Sequence, residues 1–251
     1  SGDTMCAFPD TAALKAAVNA CLSAVPSGEA CCSTDTNCAD PSSARCGSAG
    51  CVDMPEWDVS LVTDMQGLFN GKSQFNADIS AWDTSQVTLM RTMFYDAAAF
   101  NQDIGSWNTS QVTDMMYMFQ GAAVFNGAVG TWDTSQVQSL SDMFRGAAAF
   151  NQDIGNWDLS LNTRQVSMFE KAYAFHQDIT GWSNASEINS WGTFMHATAW
   201  LARMRRIDGD TASVRGPSNV WVHKPCLVNE RVLSGWCVPC GGGGIRPAGD
   251  D

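Results

Sequence analysis

Six tryptophans, Trp57, Trp82, Trp107, Trp132, Trp157 and Trp182, recur every 25 residues without a slip. A fixed period of this length means one unit repeated and stacked, each copy burying an apolar face against neighbours because it cannot do so alone. Other positions keep the interval. Phe69, Phe94, Phe119, Phe144, Phe169 and Phe194 form one aromatic column, and Phe75, Phe100, Phe125, Phe150 and Phe175 form a second that Trp200 continues. Ile79, Ile104, Val129, Ile154 and Ile179 form an aliphatic third. With little else in each unit to bury, these columns are the expected core.

Within a unit, Met90, Met93, Phe94 and Ala97 stand at i, i+3, i+4 and i+7, as do Met115, Met118, Phe119 and Ala122. That spacing predicts a two-turn helix with one apolar face, with Thr88 and Thr113 placed as N-caps. Asp103-Ile104-Gly105 is too short for a helix and predicts a strand that pairs in parallel with its copies, about 4.8 Å from each.

Phe100-Asn101-Gln102-Asp103-Ile104-Gly105 and its copy from Phe150 to Gly155 are followed by Trp and a Thr-Ser or Leu-Ser step. Val112-Thr113-Asp114-Met115 leads into Met118-Phe119. This unit resembles the 25-residue repeat of BspA-like leucine-rich-repeat surface proteins over about residues 52 to 200. The resemblance implies adhesion or binding at a cell surface and carries over no catalytic residues. The expected fold is a right-handed, leucine-rich-repeat-like α/β solenoid of about six 25-residue coils, each a short helix plus a short parallel strand, closed by disulfide-rich caps. The expected organisation is a Cys-rich cap with one helix over residues 1–51, the coils over 52–200, and a second cap with a Gly-rich tail over 201–251.

Polar columns share the period. Asn76, Asn101, Asn126 and Asn151, then His176, are expected to satisfy main-chain groups at turns. Asp78, Asp103, Asp153 and Asp178, interrupted by Ala128, are candidate Ca²⁺ ligands, with solvated turn caps the plainer reading. Neither a metal nor a cofactor is expected. Thr84, Thr109 and Thr134 line up, but Leu159 and Asn184 break the file, which speaks against a flat ice-binding array.

Ten cysteines flank the repeats and none lies inside them: Cys6, Cys21, Cys31, Cys32, Cys38, Cys46 and Cys51 before, Cys226, Cys237 and Cys240 after. Small flanks without a large core are held by disulfides in oxidising compartments. The expected location is therefore extracellular or at the cell surface, with a lumenal site as the alternative. Each flank holds an odd number, so complete pairing needs a bridge between flanks or to another chain. Asp10 or Thr11 is placed to cap a helix that Pro26 stops, and adjacent Cys31 and Cys32 are expected to take different partners.

Trp236-Cys237-Val238-Pro239-Cys240 looks like a thioredoxin-type active site, but Gly241 to Gly244 cannot begin the helix that lowers a thiol pKa there. A structural disulfide is the favoured reading. His176, His196 and His223 carry no hydrolase motif, so no enzyme is expected. Net charge of −12 argues against nucleic acid, and no run of apolar residues is long enough to span a membrane. Ser1 is preceded by no basic or apolar leader, so a signal peptide is expected to have been removed or to lie outside this sequence. Asn108-Thr109-Ser110 and Asn184-Ala185-Ser186 are N-glycosylation sequons. The expected function is a non-catalytic module whose rigid stack presents a repeated polar face to a protein or glycan. The alternative is a structural subunit that self-assembles into a filament, hair or sheath, or sits in a larger complex.

Overall fold

A computed structural model describes residues 7–40, 44, 46–182, 189–206, 221–224, 230–233 and 236–239. Helix α1 spans Thr11–Ala24, and the Asp10 carboxylate caps it by accepting the Ala13 N–H at 2.8 Å. Its inner side buries Leu14, Ala17, Val18, Cys21 and Leu22, and the Thr11 hydroxyl donates to the Asp64 carbonyl, fixing the helix to the first coil. The loop that follows is tied by Cys21–Cys31, Cys32–Cys46 and Cys38–Cys51. Phe8 packs against Trp57 at 5.1 Å, so the chain preceding α1 also closes the apolar end.

Six coils follow, each beginning at the residue after one of Trp57, Trp82, Trp107, Trp132, Trp157 and Trp182. They register at a 25-residue offset through single parallel bridges, Asp64 to Leu89, Leu89 to Asp114, Asp114 to Ser139, Ser139 to Arg164 and Arg164 to Asn189. The expected α/β coil is overturned. Among the described residues no helix or multi-residue strand lies within coils 1 to 5, where each turn of the stack is a run of tight turns and extended links.

Two left-handed residues per coil explain why the helical spacing does not give a helix. Gly67, Thr92, Tyr117, Asp142, Ser167 and Gly192 all have φ between 49° and 69°, and four residues later Gly71, Asp96, Gly121, Gly146, Lys171 and His196 lie between 53° and 73°. A right-handed helix cannot continue through either position. Instead the chain turns on itself repeatedly. Met93, Tyr95 and Ala97 donate their N–H groups back to Met90, Thr92 and Phe94 in overlapping β-turns. The alternate donors, Met90, Thr92, Phe94 and Asp96, reach the Asp114, Met116, Met118 and Gln120 carbonyls of the next coil at 2.7–3.1 Å. Nearly every main-chain polar group of this segment is thereby paired, the condition that a buried backbone must meet. Thr88 and Thr113 cap nothing; their hydroxyls donate to the Thr63 and Thr88 carbonyls of the preceding coil. Asp103-Ile104-Gly105 forms no strand, and the one-residue bridge falls at Leu89 and Asp114 instead.

Side chains complete the stack. Trp57, Trp82, Trp107, Trp132, Trp157 and Trp182 are only 3–4% exposed. From Trp107 to Trp182 each indole Nε1 donates to a carbonyl of the aliphatic column one coil back. Phe94 lies 5.3 Å from Phe119 and 4.0 Å from Phe100 with near-parallel rings. At the far end, α2 (Thr198–Arg203) puts Trp200 3.7 Å from Phe194, and Trp221 meets both rings edge-on. Strands β1 (Met204–Arg206) and β2 (Trp221–His223) pair antiparallel, as do β3 (Glu230–Leu233) and β4 (Trp236–Pro239).

Candidate interaction surface

The asparagine and threonine files hold the coils together. The Asn76 side-chain oxygen accepts the Asn101 N–H at 2.8 Å, and the same bond runs from Asn126 to Asn101, from Asn151 to Asn126 and from His176 to Asn151. These asparagines thus bond the next coil rather than their own turn, and His176 continues the file as an N–H donor. Thr84, Thr109 and Thr134 are buried, each hydroxyl donating to a carbonyl of the following coil, so this file offers no surface to ice.

The calcium candidates sit at turns. Asp78, Asp103, Asp153 and Asp178 accept the N–H of Ser80, Gly105, Gly155 and Thr180. The bond to Ser80 holds the Asp78 carboxyl below its ordinary range. Asp78 and Asp103 face an open groove of about 470 Å³. Among the described residues, the one set of three ligand atoms within 4.8 Å of one another is Cys21, Cys31 and Cys32, and all three sulfurs are in disulfides. Residues 236–239 form strand β4, with Cys237 opposite Val232, which is not the helix N-terminus that thioredoxin chemistry uses. Cys6, Cys226, Cys240 and Asn184 lie outside the described residues. Asn108 is exposed.

A different surface emerges from comparing the coils with one another. Five positions of the turn segment change in charge, size or aromatic character from coil to coil. One file reads Gln66, Arg91, Met116, Ser141, Val166, Trp191; another reads Asn70, Tyr95, Gln120, Arg145, Glu170, Met195. The files starting at Asp64, Gly67 and Gly71 vary as well. By contrast, outward Gln86, Gln111 and Gln136 repeat through coils 2 to 4, with exposed Leu61 and Leu161 at that place in coils 1 and 5.

On this segment neighbouring coils touch through their variable side chains. Arg91 lies 5.4 Å over the Tyr117 ring and 3.7 Å from the Asp114 carboxylate. Gln120 donates to the Tyr95 hydroxyl at 3.4 Å, while its own side-chain oxygen is buried without a partner. One coil further, Arg145 bridges Asp142 at 3.2 Å and Glu170 at 3.3 Å. Burial raises the Asp142 pKa against the lowering effect of Arg145. Trp191 is 48% exposed at the end of the first file. Arg, Tyr, Trp and Met are the residues enriched where proteins meet. The helical reading hid this segment, although its divergence within a faithful repeat was visible in the sequence.

Residues 43–130 and 103–206 match the family described as Mycoplasma protein of unknown function, DUF285. The chain belongs to this family. The DUF285 matches span all six coils and end at β1. No curated protein and no solved structure matches this DUF285 chain.

Proposed function

We propose that the chain is a non-catalytic interaction module of an oxidising, extracytoplasmic setting, and that it binds a protein through the variable turn segment of coils 2 to 6. The observation that carries this reading is the concentration of charged and aromatic variation in one segment, where Arg91, Tyr95, Met116, Tyr117 and Trp191 stand on a backbone fixed by inter-coil bonds. A rigid scaffold with adaptable side chains loses little entropy on binding. Its repeated asparagine and threonine files are engaged in inter-coil bonds, which argues for the diverse face over the repeated one. The three disulfides fit an oxidising compartment, and no described helix is long and apolar enough to cross a membrane. Resemblance to BspA-like surface proteins supports the same setting.

The test is capture of a partner from the surface fraction of the source organism by the wild-type chain, an Arg91→Glu/Tyr95→Ala/Trp191→Ala variant and a Gln86→Glu/Gln111→Glu/Gln136→Glu variant. One protein should be retained by the wild type and the glutamine variant and lost by the first variant. Loss only with the glutamine variant would move the site to the repeated face. A sedimenting filament of the chain alone would favour the structural-subunit alternative.

A further inference from the structure

We propose that Asn108 is an N-glycan acceptor, the single described coil position where a conserved turn cap has become a modification site. The file to which it belongs reads Asp58, Asp83, Asn108, Asp133, Asp158. Each of these side chains accepts the N–H two residues on, from Ser60, Ser85, Ser110, Ser135 and Ser160, at 2.9–3.1 Å. Only an acceptor oxygen is needed for that bond, and a carboxylate serves it better than an amide because charge strengthens it. The turn itself favours the charged form: N–H and hydroxyl bonds from Ser85 and Ser135 hold Asp83 and Asp133 below the ordinary carboxylate range. Asparagine at coil 3 is therefore the weaker cap. What it adds is a nitrogen.

That nitrogen is presented for reaction. Asn108 is exposed, its Oδ1 takes both bonds from Ser110, and no described group bonds its Nδ2. The Ser110 hydroxyl donates to Oδ1 at 2.8 Å, which polarises the amide, and Ser110 is the third residue of the sequon. Thr109, between them, points inward and bonds the Asp133 carbonyl, so nothing of the sequon crowds the nitrogen.

The donor is an oligosaccharide linked to a lipid pyrophosphate. In the transfer, Nδ2 attacks the reducing-end C1. A C1–N bond forms as the C1–O bond to pyrophosphate breaks, the lipid pyrophosphate leaves with the electron pair, and Nδ2 loses one proton to a base of the transferase. No oxidation or reduction occurs. The finished coil accommodates the product because Asn108 is exposed and no described group bonds its Nδ2.

This inference rests on passage through a secretory pathway and not on the variable turn segment, so it can fail while partner binding survives. The full chain is secreted from a glycosylating eukaryotic host, digested, and treated with peptide-N-glycanase in heavy-oxygen water, which converts a glycosylated Asn108 into labelled aspartate. The wild-type peptide should carry the label and Asn108→Asp, which restores the file residue, should carry none. Asp133→Asn builds the same sequon, Asn-Thr-Ser, on the same turn of coil 4 and should gain a second glycan. A secreted, folded wild type whose Asn108 peptide is unlabelled would overturn the proposal. Labelled Asn108 with unlabelled Asp133→Asn would overturn the claim that this turn makes the acceptor.

Discussion

The indole Nε1 of Trp107 donates to the carbonyl oxygen of Ile79, 3.1 Å away in the preceding coil, while its ring lies 6.4 Å from that of Trp132 in the following one. One side chain thus ties three successive coils together. Trp107→Ala should cost about 3–5 kcal/mol, through lost packing and the cavity left behind. Because stability in a stacked array is shared through nearest-neighbour interfaces, protection from hydrogen exchange should fall in coils 1 to 3 together. A loss confined to residues next to Trp107 would show that the coils are not coupled.

Asn162 stands in a column that the four preceding coils fill with Val62, Val87, Val112 and Val137. It is fully buried, and neither polar atom of its side chain has a partner. Leaving buried polar groups unpaired costs about 1–3 kcal/mol. Asn162→Val should raise stability by roughly that amount in chemical denaturation. A destabilised variant would reveal that the amide is paired in solution.

Gly146 has φ of 72°, and a Cβ there would meet only Gly121 main-chain atoms at 3.7–3.8 Å. Space is not the obstacle; handedness is. Gly146→Ala should cost about 1 kcal/mol, and Lys171→Gly, in the same left-handed file, should cost nothing or stabilise. Equal penalties in calorimetry would argue against the shared conformation.

Asp78, Asp83 and Asp133 are held below the ordinary carboxylate range by N–H and hydroxyl donors of Ser80, Ser85 and Ser135. A folded pKa below the unfolded one contributes stability that is present above the unfolded value and is lost as pH falls through the folded value. The melting temperature should therefore fall as pH drops below about 4. That fall should be smaller in Asp83→Asn/Asp133→Asn. Asp142, raised by burial, has the opposite sign: its contribution becomes unfavourable as pH rises from the unfolded value through the folded one. An unchanged acid profile in the double variant would mean these turns do not depend on charge.

The period and the inward columns were legible because aromatic residues at a fixed interval have few other ways to be buried. The path of the backbone between them was not. Met90, Met93, Phe94 and Ala97 satisfy helical spacing, yet consecutive β-turns also bring them to one side, and apolar periodicity does not separate the two. The distinguishing mark was Gly at 67, 71, 121, 146 and 192, two files of one residue type that tolerates left-handed backbone. In the first of these files Thr92, Tyr117, Asp142 and Ser167 are left-handed without glycine and so masked the signal. The candidate surface was missed because attention to the repeated apolar columns passes over the positions between them, such as Arg91 and Tyr95, whose signal is that they do not repeat.

Scalar coupling across the hydrogen bond of Phe94 tests the turn-built stack most directly. Its N–H is 2.9 Å from the Met118 carbonyl of the next coil. In a helix the acceptor would be Met90, four residues back. Coupling from the Phe94 nitrogen to the Met118 carbonyl carbon is the expected result, repeated from Phe119 to Met143 and from Phe144 to Met168. Coupling from Phe94 to Met90 instead would contradict it and restore the helix.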